Sequence, residues 1–160
     1  MEGPVTIDWP ATFSPELLFS TGNLLMKTGA SLQIRVDGPG PGTGHASVNV
    51  NGTASIAGAT LALSGGYQPG PGDVFTVLVN DGVDPIIGTF AGLPEGATFT
   101  FNSVPLRISY VGGSGNDVTL TSLAGLADPH QVPTLSEWGF MILTMLVMAI
   151  GMLRGRGGKA

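Results

Sequence analysis

The strongest constraint on the fold of this chain is an uncharged apolar run near its C-terminus, at residues 140–153. Built as a helix, the run carries large apolar side chains on every face, so it does not fit the surface of a small soluble domain. Residues 138–153 span about 24 Å as a helix, at roughly 1.5 Å per residue, against a hydrocarbon core of about 30 Å. The sequence therefore predicts a short transmembrane helix at 138–153.

Basic residues behind this run predict its orientation. Arg154, Arg156 and Lys159 follow it, and the whole chain has only 6 Lys and Arg residues. Basic residues favour the cytoplasmic side of a membrane. We therefore expect a cytoplasmic C-terminus, a helix in the inner membrane and an exported body. A buried core helix of the same composition is the alternative, and the terminal position and the basic end argue against it.

A short polar motif with a proline precedes the predicted helix. It consists of Val132, Pro133, Thr134, Leu135, Ser136, Glu137, Trp138 and Gly139. The order of motif, marginal helix and basic end resembles the IPTL-type C-terminal sorting signals of Gram-negative bacteria, which are related to the PEP-type signals and their exosortases. Val132 stands where that family usually has Ile. The resemblance implies that an exosortase-type enzyme is the partner, that this chain is its substrate, and that the membrane anchor is transient before the protein reaches the surface or is secreted.

The chain ahead of the tail has the composition of strands and turns. It is rich in glycine and proline, with 26 Gly and 12 Pro in the whole sequence, and only 11% of the residues are charged. Leu32, Ile34 and Val36 alternate with polar residues, and turn signals such as Asn80-Asp81-Gly82 recur every eight to twelve residues. Towards the end of the body these signals predict strands at 86–90, 98–102, 106–111 and 117–121. This pattern predicts an all-β domain at 1–122, as a sandwich, a barrel or a β-solenoid, with a linker at 123–131 and the sorting signal at 132–160.

The segment 32–120 has a second resemblance. It contains Gly-Ala-Thr-Leu-Ala-Leu at 58–63, Gly-Asp-Val-Phe-Thr-Val-Leu at 72–78 and Ile-Ser-Tyr-Val-Gly-Gly-Ser-Gly-Asn-Asp-Val-Thr-Leu at 108–120. These strings resemble the passenger-type repeats of autotransporter-like adhesins. The resemblance implies a right-handed parallel β-solenoid, with an antiparallel β-sandwich as the competing architecture. Because residues 1–8 do not read as a signal peptide and such proteins are usually long, we expect the C-terminal part of a longer protein.

Few residues of the body suggest chemistry. Residues 112–117 resemble a calcium-binding nonapeptide, but one copy cannot complete a coordination shell, so Asp117 is a weak calcium candidate and is more simply a turn residue. His45 and His130 lie in loop sequence, and we expect both to be solvated. The chain has no cysteine, and its net charge of -5 argues against nucleic acid as a partner. We expect no cofactor.

Two functional hypotheses follow from these observations. The first is a non-enzymatic surface or secreted module, structural or adhesin-like, delivered by its sorting signal. The second is the C-terminal end of an exported carbohydrate-active enzyme or carbohydrate-binding protein, and extracellular polysaccharide is a candidate partner in either case. Trp9, Tyr67 and Tyr110 are the only Trp and Tyr residues ahead of the tail. Because a sugar-binding flank is expected to carry more aromatic residues, the sequence favours the first hypothesis.

Overall fold

The computed structural model describes residues 3–8 and 10–126, and these residues form strands and loops without a helix. The all-β prediction is therefore confirmed for this part of the chain. The strands, in chain order, are β1 Val5–Ile7, β2 Thr12–Phe13, β3 Leu18–Thr21, β4 Leu24–Met26, β5 Ser31–Arg35, β6 Ser47–Val50, β7 Ala54–Ser55, β8 Thr60–Ser64, β9 Val74–Asn80, β10 Thr98–Phe101, β11 Val104–Gly112 and β12 Asp117–Ser122.

The first nine strands follow a cycle of three. Each strand pairs in parallel with the strand three places further along the chain, which gives the sheets β1-β4-β7 and β2-β5-β8 and the β3-β6-β9 part of a third sheet. The register brings Leu32 opposite Leu61 and Val48 opposite Leu78. The chain thus makes three successive passes, β1–β3, β4–β6 and β7–β9, and each pass contributes one strand to each of the three sheets.

The connections between strands differ in how much their length varies. The connection from the first sheet to the second has four residues in every pass, at 8–11, 27–30 and 56–59. The return from the third sheet to the first is equally short, at 22–23 and 51–53. The connection from the second sheet to the third is short in the first pass, at residues 14–17. It is longer in the next two passes, at residues 36–46 and 65–73. Of the three repeated corners, this one therefore holds the most loop sequence.

The core lies between the three sheets. On β5, Leu32 and Ile34 are buried while Arg35 is exposed, as the alternation of a strand with one inward face requires. Register partners then stack apolar side chains from pass to pass, and each fully buried large side chain contributes about 1.5–3 kcal/mol of transfer free energy. The largest such residues are Phe75, Phe90, Leu24, Met26, Leu32, Ile34, Ile56, Leu78, Leu106, Ile108 and Leu120.

The last three strands extend the third sheet in an antiparallel order. β9 pairs with β12, β12 with β11 and β11 with β10. The hairpin between β10 and β11 turns at Asn102 and Ser103, whose φ angles are 46° and 66°. Positive φ at both central residues is the geometry of a type I′ turn, which matches the twist of the flanking strands. The strands predicted at 98–102, 106–111 and 117–121 are thereby confirmed.

The strand predicted at 86–90 is not present as a strand. Ile87 forms an isolated bridge with Ser55, and its amide donates a hydrogen bond to the Ala54 carbonyl at 2.8 Å. At Gly88, φ is 83° and a side-chain Cβ would lie 2.6 Å from the Cα of Ala57. The positive φ at Gly88 interrupts the extended backbone. The segment still continues beside the third pass, because the Gly58 amide donates to the Thr89 carbonyl at 3.1 Å and the Ala91 amide donates to the Ala59 carbonyl at 2.7 Å. The segment covers the edge of β7 without extending the sheet.

The predicted membrane segment cannot be placed on this fold. Within residues 3–8 and 10–126, no helix is long and apolar enough to cross a membrane. The predicted helix at 138–153, the sorting motif and residues 127–131 of the predicted linker lie outside the described residues. The domain boundaries inferred from sequence therefore remain predictions, and β12, the last strand described, ends at Ser122.

Candidate functional site

A groove of about 600 Å³ opens at the corner where the second sheet meets the third. Its polar lining comes from Ser14, Glu16, Gln33, Arg35, Asp37 and Ser64. Pro15, Leu17 and Ala46 supply its apolar surface. We call this the corner groove. It exists because the outward-facing positions of β5, Gln33 and Arg35, lie beside the connection at 36–46.

The polar side chains of the corner groove are linked between neighbouring passes. The Ser14 hydroxyl donates a hydrogen bond to Oε1 of Gln33 at 2.9 Å. The amide nitrogen of Gln33 has no partner among the described residues. Gln33 therefore presents two free N–H donors to the groove.

Arg35 and Asp37 form an ion pair at the rim of the corner groove. Nε of Arg35 donates to Oδ2 of Asp37 at 2.5 Å, and the amide of Gly66 donates to Oδ1 of Asp37 at 3.1 Å. The Gly66 amide first, and then Arg35, hold the pKa of Asp37 below its ordinary value of 3.8. Because only Nε of Arg35 is engaged, its terminal nitrogens remain available as donors. Its side chain is 71% exposed.

The loop at 36–46 forms one wall of the groove, and glycine allows it to fold tightly. The Asp37 amide donates to the Gly44 carbonyl at 2.7 Å, and the Ala46 amide donates to the Arg35 carbonyl at 2.9 Å. A Cβ at Gly44 would lie 2.6 Å from the carbonyl carbon of Gly38. The two backbone segments can approach this closely only because neither residue has a side chain.

His45 is fully buried beneath this loop, so the expectation that it is solvated is wrong. Its Nε2 donates to the Thr76 carbonyl at 3.3 Å, and its ring lies edge-on against Phe75. Its Nδ1 is buried without a hydrogen-bond partner in the described part of the chain. Burial lowers the pKa of His45 below 6.5, although the carbonyl groups of Thr76, Gly38 and Pro39 oppose the shift. The Gly/Pro composition of the loop suggested exposure, but the loop folds back and places His45 at an inward position.

Asp117 lies in a turn that already uses its carboxylate. Oδ1 accepts the Asn80 amide at 2.9 Å, and Oδ2 accepts both the amide and the hydroxyl of Ser114. The side-chain amide of Asn116 donates to the carbonyls of Asp81 and Asp84. N–H and O–H groups thus occupy the oxygens that a calcium ion would need. Among residues 3–8 and 10–126, no group of three or more His, Cys, Asp or Glu side chains could hold a metal ion.

The remaining residues singled out from the sequence are not part of the described structure. They are His130, the sorting motif from Val132 to Gly139, and Arg154, Arg156 and Lys159. The sequence analysis did not find the corner groove. Its only signal there was the alternation of Gln33 and Arg35 with buried residues on β5, because Ser14 and Ser64 reach the groove through strand pairing between distant parts of the chain.

Comparison with known families identifies the tail. The sequence profile of the IPTL-CTERM motif matches residues 131–157, which confirms the resemblance inferred from the motif, the apolar run and the basic end. This signal indicates an exported protein of the cell envelope that is processed by an exosortase-type enzyme. No curated protein and no solved structure gives a significant match to this chain. The match is confined to the tail, so the role of the body has to be argued from its structure.

Proposed function

We propose that this protein is a non-enzymatic structural or adhesin-like module of the bacterial surface, delivered through its C-terminal sorting signal. The observation that carries the proposal is the IPTL-CTERM match at residues 131–157. An all-β body immediately ahead of such a signal is suited to a passive role outside the cell, since a dense network of backbone hydrogen bonds stabilises it without disulfides.

The body is, in this proposal, a right-handed parallel β-solenoid rather than an antiparallel sandwich. The cycle of three parallel pairings supports it, because each pass adds one strand to every sheet. In-register stacking of Leu32 on Leu61 and of Ile34 on Leu63 gives the continuous inner column that a solenoid needs. The right hand follows from the general preference of crossover connections between parallel strands, about 98% of which are right-handed. The antiparallel strands β10–β12 then close the last pass.

The absence of enzymatic activity is part of the proposal. His45 is buried against Phe75 and donates to a backbone carbonyl, so it does not reach the corner groove as a general base would. Asp37 is hydrogen-bonded to Gly66 and Arg35 and is held in its charged form. A carboxylate whose pKa lies below 3.8 is a poor proton donor or acceptor near neutral pH. The groove is better suited to binding than to catalysis.

The tail acts as a transient anchor in the inner membrane. Helix 138–153 holds the chain, and Arg154, Arg156 and Lys159 keep its end in the cytoplasm. Pro133 lacks an amide N–H and disfavours the helical conformation at Val132, so the motif offers an extended backbone at the membrane surface. The exosortase-type enzyme cleaves within residues 132–137, and the body is then released to the surface or secreted.

Intact-mass measurement tests this proposal. In a host that carries the cognate sorting enzyme, the mature protein is expected to lack residues 154–159. The double substitution Pro133→Ala with Thr134→Ala is expected to accumulate a membrane-bound precursor. Pro129→Ala, a proline change ahead of the motif, is the matched control and should be processed normally. Mature protein that retains Arg154 to Lys159 on most molecules contradicts the transient anchor.

A further inference from the structure

We propose that the corner groove binds a neutral, hydroxyl-rich saccharide chain. The inference goes beyond the proposed function, because it gives the body a ligand independently of how the tail is processed. It depends on residues of β5 and β8 in the second sheet and of the loops beside them.

The groove floor consists of outward-facing polar side chains on two paired strands, β5 and β8. Gln33 and Arg35 occupy successive outward positions of β5, and Arg35 pairs with Ser64 of β8. Neighbouring strands lie about 4.8 Å apart, and outward positions repeat about every 7 Å along a strand. The polar groups of Gln33, Arg35 and Ser64 are therefore spaced at intervals close to the length of one sugar ring, so a chain of sugars can contact more than one of them at once.

The groove also offers the mixture of donors and acceptors that hydroxyl groups require. Gln33 contributes two free N–H groups and Arg35 its terminal nitrogens, while the Glu16 carboxylate accepts and the Ser64 hydroxyl does both. A sugar hydroxyl donates one hydrogen bond and accepts others, so each can be matched from both sides. Planar amide, guanidinium and carboxylate groups can contact two adjacent hydroxyls at once, which a lone hydroxyl cannot do.

Size and the apolar wall agree with the same class of ligand. The groove volume of about 600 Å³ lies within the range of about 300–1,000 Å³ found for small-molecule sites. Leu17 is 49% exposed and provides an apolar surface beside the polar floor. The C–H face of a sugar ring can pack against that surface while its hydroxyls reach the polar side chains.

Charge favours a neutral chain over an acidic one. Glu16 and Asp37 contribute two carboxylates to the groove, and Arg35 contributes one positive charge that Asp37 already engages. A uronic acid would meet net negative charge in the groove and in a chain with a net charge of -5.

Calorimetric titration of the full-length chain tests the proposal. The protein is held in a detergent without a sugar headgroup and titrated with laminarihexaose, maltohexaose and cellohexaose, and separately with polygalacturonate. Saturable binding of at least one neutral hexasaccharide is expected, and Gln33→Ala should weaken it about tenfold or more, as should Arg35→Ala. Thr60→Ala is the matched control, because Thr60 faces outward on the same sheet beyond the groove. The affinity of this variant for the hexasaccharide should stay within about twofold of the wild-type value.

A conservative variant keeps the test independent of folding. Gln33→Glu preserves size and the acceptor for Ser14 but removes both donors, so it should lose binding with an unchanged melting temperature. Three outcomes overturn the proposal: no binding of any neutral hexasaccharide, binding of polygalacturonate alone, or neutral binding that Gln33→Ala and Arg35→Ala leave unchanged. All titrations use chain that has not met the sorting enzyme, so a failure here is separate from a failure of tail processing.

Discussion

The hydroxyl of Tyr110, on β11, donates a hydrogen bond to the backbone carbonyl of Leu93 at 2.7 Å. The same hydroxyl accepts the Phe90 amide at 3.0 Å. One side chain thereby ties the segment that covers the edge of β7 to the antiparallel strands. Burial raises the pKa of Tyr110 above 10.0, so the hydroxyl keeps its proton and its donor role at any physiological pH.

Removing this hydroxyl is expected to destabilise the fold. Tyr110→Phe leaves the Phe90 amide and the Leu93 carbonyl without their partner in a buried region, which costs about 1–3 kcal/mol. Urea unfolding monitored by far-UV circular dichroism measures the loss of unfolding free energy. Tyr67→Phe is the matched control and should cost less, because the partner of Tyr67 is the half-exposed carboxylate of Asp73. Equal losses for the two variants would contradict the role assigned to Tyr110.

Stability is expected to depend on pH through His45. The folded state lowers the pKa of His45 below 6.5, so the unfolded chain binds more protons between the two values. The stabilisation is complete above pH 6.5 and is lost as the pH falls from 6.5 towards the folded pKa. Urea unfolding of the wild-type chain between about pH 5 and 8 should show this decline.

The variant His45→Gln isolates that contribution. Its amide can still donate to Thr76, but it does not titrate, so the decline below pH 6.5 should become shallower. His130→Gln removes the only other histidine of the chain and should leave the decline unchanged. If His45→Gln declines as steeply as the wild type, buried His45 is not the origin of the pH dependence.

A methyl group at Gly44 is expected to disturb the loop that walls the corner groove. Gly44→Ala places a Cβ 2.6 Å from the Gly38 carbonyl carbon, and overpacking of this kind costs about 1–3 kcal/mol. Gly66→Ala is the control, because nothing lies within 4 Å of a Cβ at that position. Thermal unfolding of both variants checks the prediction, and a Gly44→Ala protein as stable as Gly66→Ala would show that the loop is not closely packed.

Calcium is expected to leave the melting temperature unchanged. Asp117 already accepts three hydrogen bonds in its turn, so the ion would have to displace them before it could bind. A ligand that binds only the folded state stabilises it by mass action, by about 2.7 kcal/mol at a hundredfold excess over its Kd. Differential scanning calorimetry measures the melting temperature in millimolar calcium and again in the presence of a chelator. A rise of several degrees with calcium would contradict the turn interpretation.

The sequence predicted strands well where one face of a strand is buried. Alternation located β5 through Leu32 and Ile34, and turn residues located the hairpin strands β10 to β12. It could not choose between a solenoid and a sandwich, because the period of two is the same whether the neighbouring strand is parallel or antiparallel. That choice depends on pairings such as Ser31 with Thr60, which join residues far apart in the chain.

The sequence-based predictions that failed did so because tertiary contacts decide the structure at those positions. The apolar residues Ile86 and Ile87 suggested a strand, but the positive φ of Gly88 interrupts the extended backbone, so only one bridge and separate backbone hydrogen bonds join this segment to the third pass. His45 looked exposed because its loop is rich in Gly and Pro, yet that composition lets the backbone fold close enough to cover it. The corner groove was missed for the same reason, since its lining is assembled from three passes of the chain.

The uneven connection lengths have a consequence for how such a body can change. At two corners the connection has two to four residues in every pass. At the third corner it occupies residues 14–17 in the first pass and residues 36–46 in the second. An insertion at the short corners would shift the in-register stacking of every later strand, but one at the long corner leaves that stacking in place. Evolution or protein design can therefore insert new loops along a single edge of the body. Such loops would change the molecules that the body binds, while the stacked apolar side chains of its core stay the same.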